Sequence, residues 1–98
     1  MEKNAPHCKL TNVKALIKSG RVRTTNTARL GADALNLDLS EMLAVILALK
    51  PTDFYKSMTT YADHTLWQDV YRPHTKAGKV YLKLTVIEDV LIVSFKEL

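Results

Sequence analysis

In the second half of the chain, Lys56, Gln68, Arg72, Tyr81, Lys83 and Lys96 fall within segments whose apolar residues recur at every second position. In a β-strand that period sends alternate side chains to opposite faces of a sheet. Between Lys79 and Ile87, the residues Val80, Leu82, Leu84 and Val86 form one set, and Tyr81, Lys83 and Thr85 the other. Between Val90 and Lys96, Leu91, Val93 and Phe95 oppose Ile92, Ser94 and Lys96. The apolar sets must cover a core. Tyr81, Lys83 and Lys96 are then left on a solvent-reachable face, where neighbouring strands bring such side chains within reach of one another. The first two strands divide less cleanly: Lys56 shares its side with Phe54 and Met58, and Gln68 and Arg72 share theirs with Leu66 and Val70. A site there is lined by apolar as well as charged groups.

Basic side chains, a tyrosine and a glutamine on one sheet face suit phosphodiester chemistry without a metal. RNA cleaves itself when its 2′-hydroxyl loses a proton, the charge developing on phosphorus is stabilised, and the departing 5′-oxygen gains a proton. A lysine crowded by other cations is pushed toward the range in which it exchanges protons, while an arginine stays charged and holds phosphate. Tyr81 can donate a proton or stack on a base, and Gln68 can hydrogen-bond phosphate or a base edge. Lysines on a sheet face also serve solvation and edge protection, so alternation alone does not identify an enzyme.

Other constellations carry less. His7, His64 and His74 lack metal-ligand spacing, and Asp63, Asp69, Glu88 and Asp89 do not form the compact cluster of a two-metal nuclease. No metal or other cofactor is expected. The single cysteine, Cys8, excludes an intramolecular disulfide and reads as inert. The three glycines stand apart, so there is no Gly-rich phosphate loop. Trp67 has the helix-facing parity of Asp69 and Tyr71 and reads as a core anchor.

Elements that position the strands come first in the chain. Leu10, Val13, Leu16 and Ile17 recur at helical steps before Gly20. A second helix is expected over Ala28 to Leu35, with Thr27 as N-cap, Leu30, Ala34 and Leu35 buried, and Asn36 closing it. In the third, Asp38 and Glu41 have capping-box spacing ahead of Met42, Leu43, Ile46, Leu47 and Leu49, and Pro51 ends it. Strands follow at Phe54 to Thr60, Leu66 to Arg72, Lys79 to Ile87 and Val90 to Lys96. The last two are joined by Glu88 and Asp89, and Pro73 to Gly78 is a looser loop. Arg21 to Thr25 can add an edge strand. Helices first and a meander second make the class α+β, with N-terminal helices packed on a mainly antiparallel sheet.

Ninety-eight residues allow one domain, 1–98. With 47% hydrophobic and 24% charged residues, the composition is that of a globular chain. The net charge of +4 divides unevenly: seven basic residues and no acid lie between Lys3 and Arg29, and four (Arg72, Lys76, Lys79, Lys83) stand without an acid from Arg72 to Lys83. Such stretches suit a polyanion. The longest apolar run, Met42 to Leu49, is far short of the ~20 residues that span a bilayer, and no apolar signal region is evident; a cytoplasmic protein without a membrane partner is expected.

As whole strings, Asp53-Phe54-Tyr55-Lys56-Ser57-Met58-Thr59-Thr60-Tyr61, Trp67-Gln68-Asp69-Val70-Tyr71-Arg72-Pro73, Val80-Tyr81-Leu82-Lys83 and Leu91-Ile92-Val93-Ser94-Phe95-Lys96 resemble the MqsR family of bacterial toxins, as do Met1-Glu2-Lys3, Pro6-His7 and Val22-Arg23-Thr24-Thr25. The resemblance covers essentially the whole chain. It implies the RelE-like fold of small microbial ribonucleases and an mRNA interferase that cuts messenger RNA at short GC-containing sites and arrests translation. It places functional residues at Lys56, Gln68, Tyr81 and Lys96, with Tyr55, Met58 and Arg72 as substrate-binding neighbours; Lys83, outward by alternation, is a further RNA-binding candidate. Position 88, where a histidine would be sought, holds Glu88, so a lysine-centred mechanism is expected, with base and acid open between Lys56 and Lys96. The resemblance also implies a cognate MqsA-like antitoxin that binds zinc and DNA, so that operator DNA is met only through the complex. Two other functions stay open: a binding module without catalysis, and a toxin of this fold directed at DNA gyrase.

Overall fold

A computed structural model describes Met1–Leu98. It contains three helices, α1 (Leu10–Lys18), α2 (Asn26–Ala34) and α3 (Leu39–Leu47), and seven strands, β1 (Glu2–Lys3), β2 (Val22–Thr24), β3 (Phe54–Thr59), β4 (Trp67–Tyr71), β5 (His74–Thr75), β6 (Gly78–Ile87) and β7 (Asp89–Glu97). The sheet runs β1-β3-β4-β6-β7-β2, and β5 pairs with β6. Every pairing is antiparallel except β2 with β7. This is the α+β class read from the sequence, with the Arg21–Thr25 edge strand included. No helix is long and apolar enough to cross a membrane.

Local signals fix most helix ends. Gly20 takes φ 80° just after α1, and the Arg21 N–H donates back to the Leu16 carbonyl at 2.9 Å. Asp38 and Glu41 form the capping box at the start of α3. Asn36 takes φ 59° beyond α2, as a closing asparagine does. The cap of α2, however, is Thr25 and not Thr27. The Thr25 hydroxyl accepts from Ala28 N–H at 3.0 Å and donates to the Val93 carbonyl at 2.9 Å, so a contact with the sheet sets where the helix begins. The earlier start turns Ala28 and Ala32 inward, leaves Leu30 59% exposed and leaves Ala34 exposed as well.

Two bulges decide which side chains face the helices. Phe54 pairs with Tyr71 but Lys56 with Val70, so Tyr55 is the extra residue in β3. Phe54 therefore packs against the core while Lys56 and Met58 point the other way, so of the side-sharing read from strict alternation in this strand only the Phe54 assignment fails. In β7, Ser94 pairs with Lys83 but Ile92 with Leu84, which makes Val93 the extra residue. The buried set is accordingly Val90, Ile92 and Phe95 instead of Leu91, Val93 and Phe95. Lys96 keeps its outward position beyond the bulge. The β6–β7 turn is tighter than expected: Ile87 still pairs with Asp89, and Glu88 alone turns the chain at φ 64°. The Pro73–Gly78 loop is ordered by His74–Lys79 and Thr75–Gly78 pairing.

Val13, Ile17, Ala28, Met42 and Ile46 from the helices meet Tyr71, Leu82, Leu84, Ile92 and Phe95 in one core. The helix–sheet approach leaves no room for a side chain at Gly31, where a Cβ would sit deep inside contact with the Phe95 carbonyl oxygen. Both groups belong to backbones, so nothing flexible can yield. Gly31→Ala is expected to cost about 3 kcal/mol or more, read in a thermal melt as a fall of at least ~10 °C.

Candidate active face of the sheet

The face away from the helices is organised in rows. Lys56 lies opposite Val70, Val70 opposite Lys83, and Lys83 opposite Ser94, giving one row across β3, β4, β6 and β7. Val70 is fully buried although it belongs to this face, so it forms an apolar floor between two lysines. Two residues along, Tyr81 stands directly opposite Lys96. The Lys96 Nζ lies 5.2 Å from the Tyr81 ring centroid, within reach of a cation–π contact. Arg72, just past β4, is on that same side of the row. On the other side, Gln68 stands opposite Met58.

Tyr55, pushed out by its bulge and 48% exposed, collects two cations. The Arg72 guanidinium carbon is 4.6 Å and the Lys56 Nζ 5.5 Å from its ring centroid. Arg72 Nε is buried and has no hydrogen-bond partner within the protein. The outward face thus carries all eight residues singled out in the sequence, but in three groups: Tyr55–Lys56–Arg72, Tyr81–Lys96 with Lys83 beside them, and Met58–Gln68. Lys56 and Lys96 are three strands apart, on the order of 14 Å between backbones at ~4.8 Å per strand. Lys83 lies between them.

One neighbour escapes sequence pattern altogether. The strand β1 pairs with β3 in the register Glu2–Met58 and Lys3–Ser57, and the Glu2 Oε1 lies 3.2 Å from Lys56 Nζ. Lys56 is therefore not surrounded by cations alone, as the sequence suggested; a carboxylate stands beside it. No periodicity announces a two-residue strand at a chain end, so this contact had no local signal.

The segment behind β1 is tied to the sheet by Asp69. That carboxylate is buried on the helix side and accepts from His7 N–H at 3.0 Å, Cys8 N–H at 3.1 Å and the Ser57 hydroxyl at 2.6 Å. His7 then stacks on Trp67 with ring centroids 5.6 Å apart, and Lys3 Nζ sits 4.1 Å from the Trp67 centroid. Trp67 is thus only half-buried, covered by the N-terminal segment and not by the helices, which corrects its reading as a core anchor. Burial, reinforced by the negative Asp69, pushes the Cys8 thiol up from its ordinary value. Burial is also the main cause, with Asp69 and Cys8 adding to it, of a strongly raised Tyr71 phenol.

A groove of about 610 Å³ lies elsewhere, between α3 and β5, lined by Glu41, Lys50, Asp53, His74 and Lys76. Lys76 there pairs with Glu41, so part of the second cationic stretch is neutralised away from the sheet face. No three His, Cys, Asp or Glu side chains gather closely enough to hold a metal.

A small α+β protein with a cationic, apolar-floored sheet face left open opposite its helices is the class that these elements define. The chain belongs to the family described as motility quorum-sensing regulator, toxin of MqsA, whose model matches residues 5–97. It is similar to the mRNA interferase toxin MqsR of Escherichia coli (strain K12), with 63% identity over 97 residues that cover 99% of each chain. The family description names a toxin together with its counterpart.

Two outcomes follow from the Asp69 anchor. Asp69→Ala strands two N–H groups and leaves the Ser57 hydroxyl only its longer bond to the Gln68 carbonyl; it is expected to cost about 3 kcal/mol in urea unfolding, with accelerated hydrogen exchange at His7 and Cys8. Because its thiol is raised, Cys8 holds less thiolate at a given pH; iodoacetamide should alkylate it more slowly than a free cysteine at pH 8, and the rate should keep climbing above the ordinary thiol range.

Proposed function

We propose that the protein is the toxin of a toxin–antitoxin pair and acts as an endoribonuclease, an mRNA interferase that needs neither metal nor ribosome and cuts messenger RNA at short GC-containing sites. The observation that carries this is the Tyr81–Lys96 pair set beside the Lys56–Val70–Lys83 row on one open face. The name of the 63% identical relative supports the same activity. Cleavage proceeds by attack of the RNA 2′-oxygen on the adjacent phosphorus, leaving a 2′,3′-cyclic phosphate and a 5′-hydroxyl.

Within this proposal Lys56, Gln68, Tyr81 and Lys96 act on the reacting groups, and Tyr55, Met58, Arg72 and Lys83 hold the strand. Arg72, always charged, holds a phosphate through its guanidinium group. Tyr55, already flanked by two cations, is a platform on which a base can stack. Lys83 stabilises charge on a phosphate over Val70, and Lys96, aligned by Tyr81, faces the departing 5′-oxygen. The chain works as one domain, 1–98, in the cytoplasm, without a membrane partner. Its counterpart is a zinc- and DNA-binding MqsA-like antitoxin, so that operator DNA is reached only through the complex.

Purified protein incubated with RNA in EDTA should cut it, and end mapping should find cyclic phosphate and 5′-hydroxyl termini. Lys56→Ala, Tyr81→Ala and Lys96→Ala should each lower cleavage by about 10²- to 10⁴-fold with little change in melting temperature, because none of these side chains enters the core. Activity lost with EDTA, 3′-hydroxyl ends, or salt-sensitive RNA binding without cleavage would refute the proposal.

A further inference from the structure

The proposed reaction needs a proton acceptor for the 2′-hydroxyl, and the outward face is rich in donors instead. Lys56, Arg72, Lys83 and Lys96 are cationic types, Tyr81 a phenol and Gln68 an amide. An amine accepts a proton only once neutral, whereas a carboxylate is ionised throughout the neutral range. One carboxylate does reach this face. Glu2 sits opposite Met58 in β1, with its Oε1 3.2 Å from Lys56 Nζ. Its side chain is 59% exposed and takes no other ion pair, so it is open to substrate.

The chain holds Glu2 there with more contacts than a two-residue edge strand needs. The Met1 amino group donates to Thr59 Oγ1 at 3.3 Å, and Thr59 N–H donates to the Met1 carbonyl at 3.0 Å. Further along, Asp69 takes both the His7 and Cys8 amides. A depression of about 220 Å³ opens beside the carboxylate, with Glu2, Met58, Thr60, Tyr61 and His64 among its lining residues. The Tyr61 ring is fully exposed at its rim. Such a place, next to a phosphate seated over Val70, suits the nucleoside whose 2′-hydroxyl reacts.

We infer that Glu2 is the general base of the reaction and that the Met58–Tyr61 depression holds the nucleoside on the 5′ side of the cut. The 2′-hydroxyl gives its proton to the Glu2 carboxylate, and the 2′-oxygen forms its bond to phosphorus. The phosphorus–5′-oxygen bond breaks with its electron pair going to the 5′-oxygen, which takes a proton from Lys96. Lys56 remains the charged partner that orients Glu2 and holds phosphate. Glu2 and Lys96 lie four strands apart in the sheet order, so the Lys96 proton reaches the 5′-oxygen through bridging water.

The inference rests on the endoribonuclease function proposed above, and wild-type cleavage in the same series separates the two: without cyclic phosphate products from the wild type, that function fails first. The test uses the full chain with nothing added ahead of Met1, a short cleavable RNA, and its 2′-deoxy analogue as binding probe. Glu2→Gln should lower kcat at least ~100-fold, leave analogue affinity within about threefold, and abolish the acidic limb of the pH–kcat profile. Formate should restore part of the rate to Glu2→Ala. Wild-type kcat in Glu2→Gln, a lowered kcat with the acidic limb intact, or tighter binding with faster cleavage would overturn the assignment; the last would mean that Glu2 merely competes with phosphate for Lys56.

Discussion

A single buried carboxylate organises the working side of this molecule. Asp69 lies on the helix-facing side of β4 yet spends its acceptors on the N-terminal segment and on Ser57 of β3, not on the helices. Burying an anion is costly unless donors surround it, and here two backbone N–H groups and a hydroxyl do so. The result is a clamp: β3 is held to β4, His7 is laid on Trp67, and the chain ahead of it runs along β3 as a new edge. Without that clamp two residues of pairing would have little reason to persist. Glu2 meets Lys56 because Asp69 holds the segment eight residues into the chain.

Much of the architecture was legible in the sequence because it rests on local patterns. The Asp38–Glu41 box, the closing Gly20 and Asn36, and the alternation in β6 are short-range signals, and they place α1, α3 and the outward Tyr81 and Lys83 correctly. What was illegible depends on contacts distant in the chain. Thr25 replaces Thr27 as cap because the Val93 carbonyl is its second partner. The bulges at Tyr55 and Val93 shift parity within a strand, so period-two counting assigned Phe54 and Lys56 to one side and chose Leu91 over Ile92. Lys96 was placed correctly since it and Phe95 lie past the β7 bulge. Glu2 belongs to the same illegible class.

The charge distribution also takes a different meaning in three dimensions. The cationic stretch from Lys3 to Arg29, with its seven basic residues, lies on the N-terminal segment, the helices and the β2 edge. Several of its members are engaged there: Lys14 with the Leu49 carbonyl, Arg21 and Arg23 with Asp89, Lys3 with His7 and Trp67. The outward face draws its cations instead from four strands or their ends, at Lys56, Arg72, Lys83 and Lys96. On the proposed function, the cations that contact the RNA are therefore not those of the most basic stretch of the sequence.

The account turns on attack by the RNA's own 2′-oxygen across this face. Its most direct test is an oligoribonucleotide carrying a single 2′-deoxy sugar immediately 5′ of the linkage that the protein cuts. The substituted strand should bind as the all-ribose strand does and remain intact at that linkage. Cleavage there at an undiminished rate would show that the nucleophile comes from elsewhere and would contradict the assignment of every group on the face.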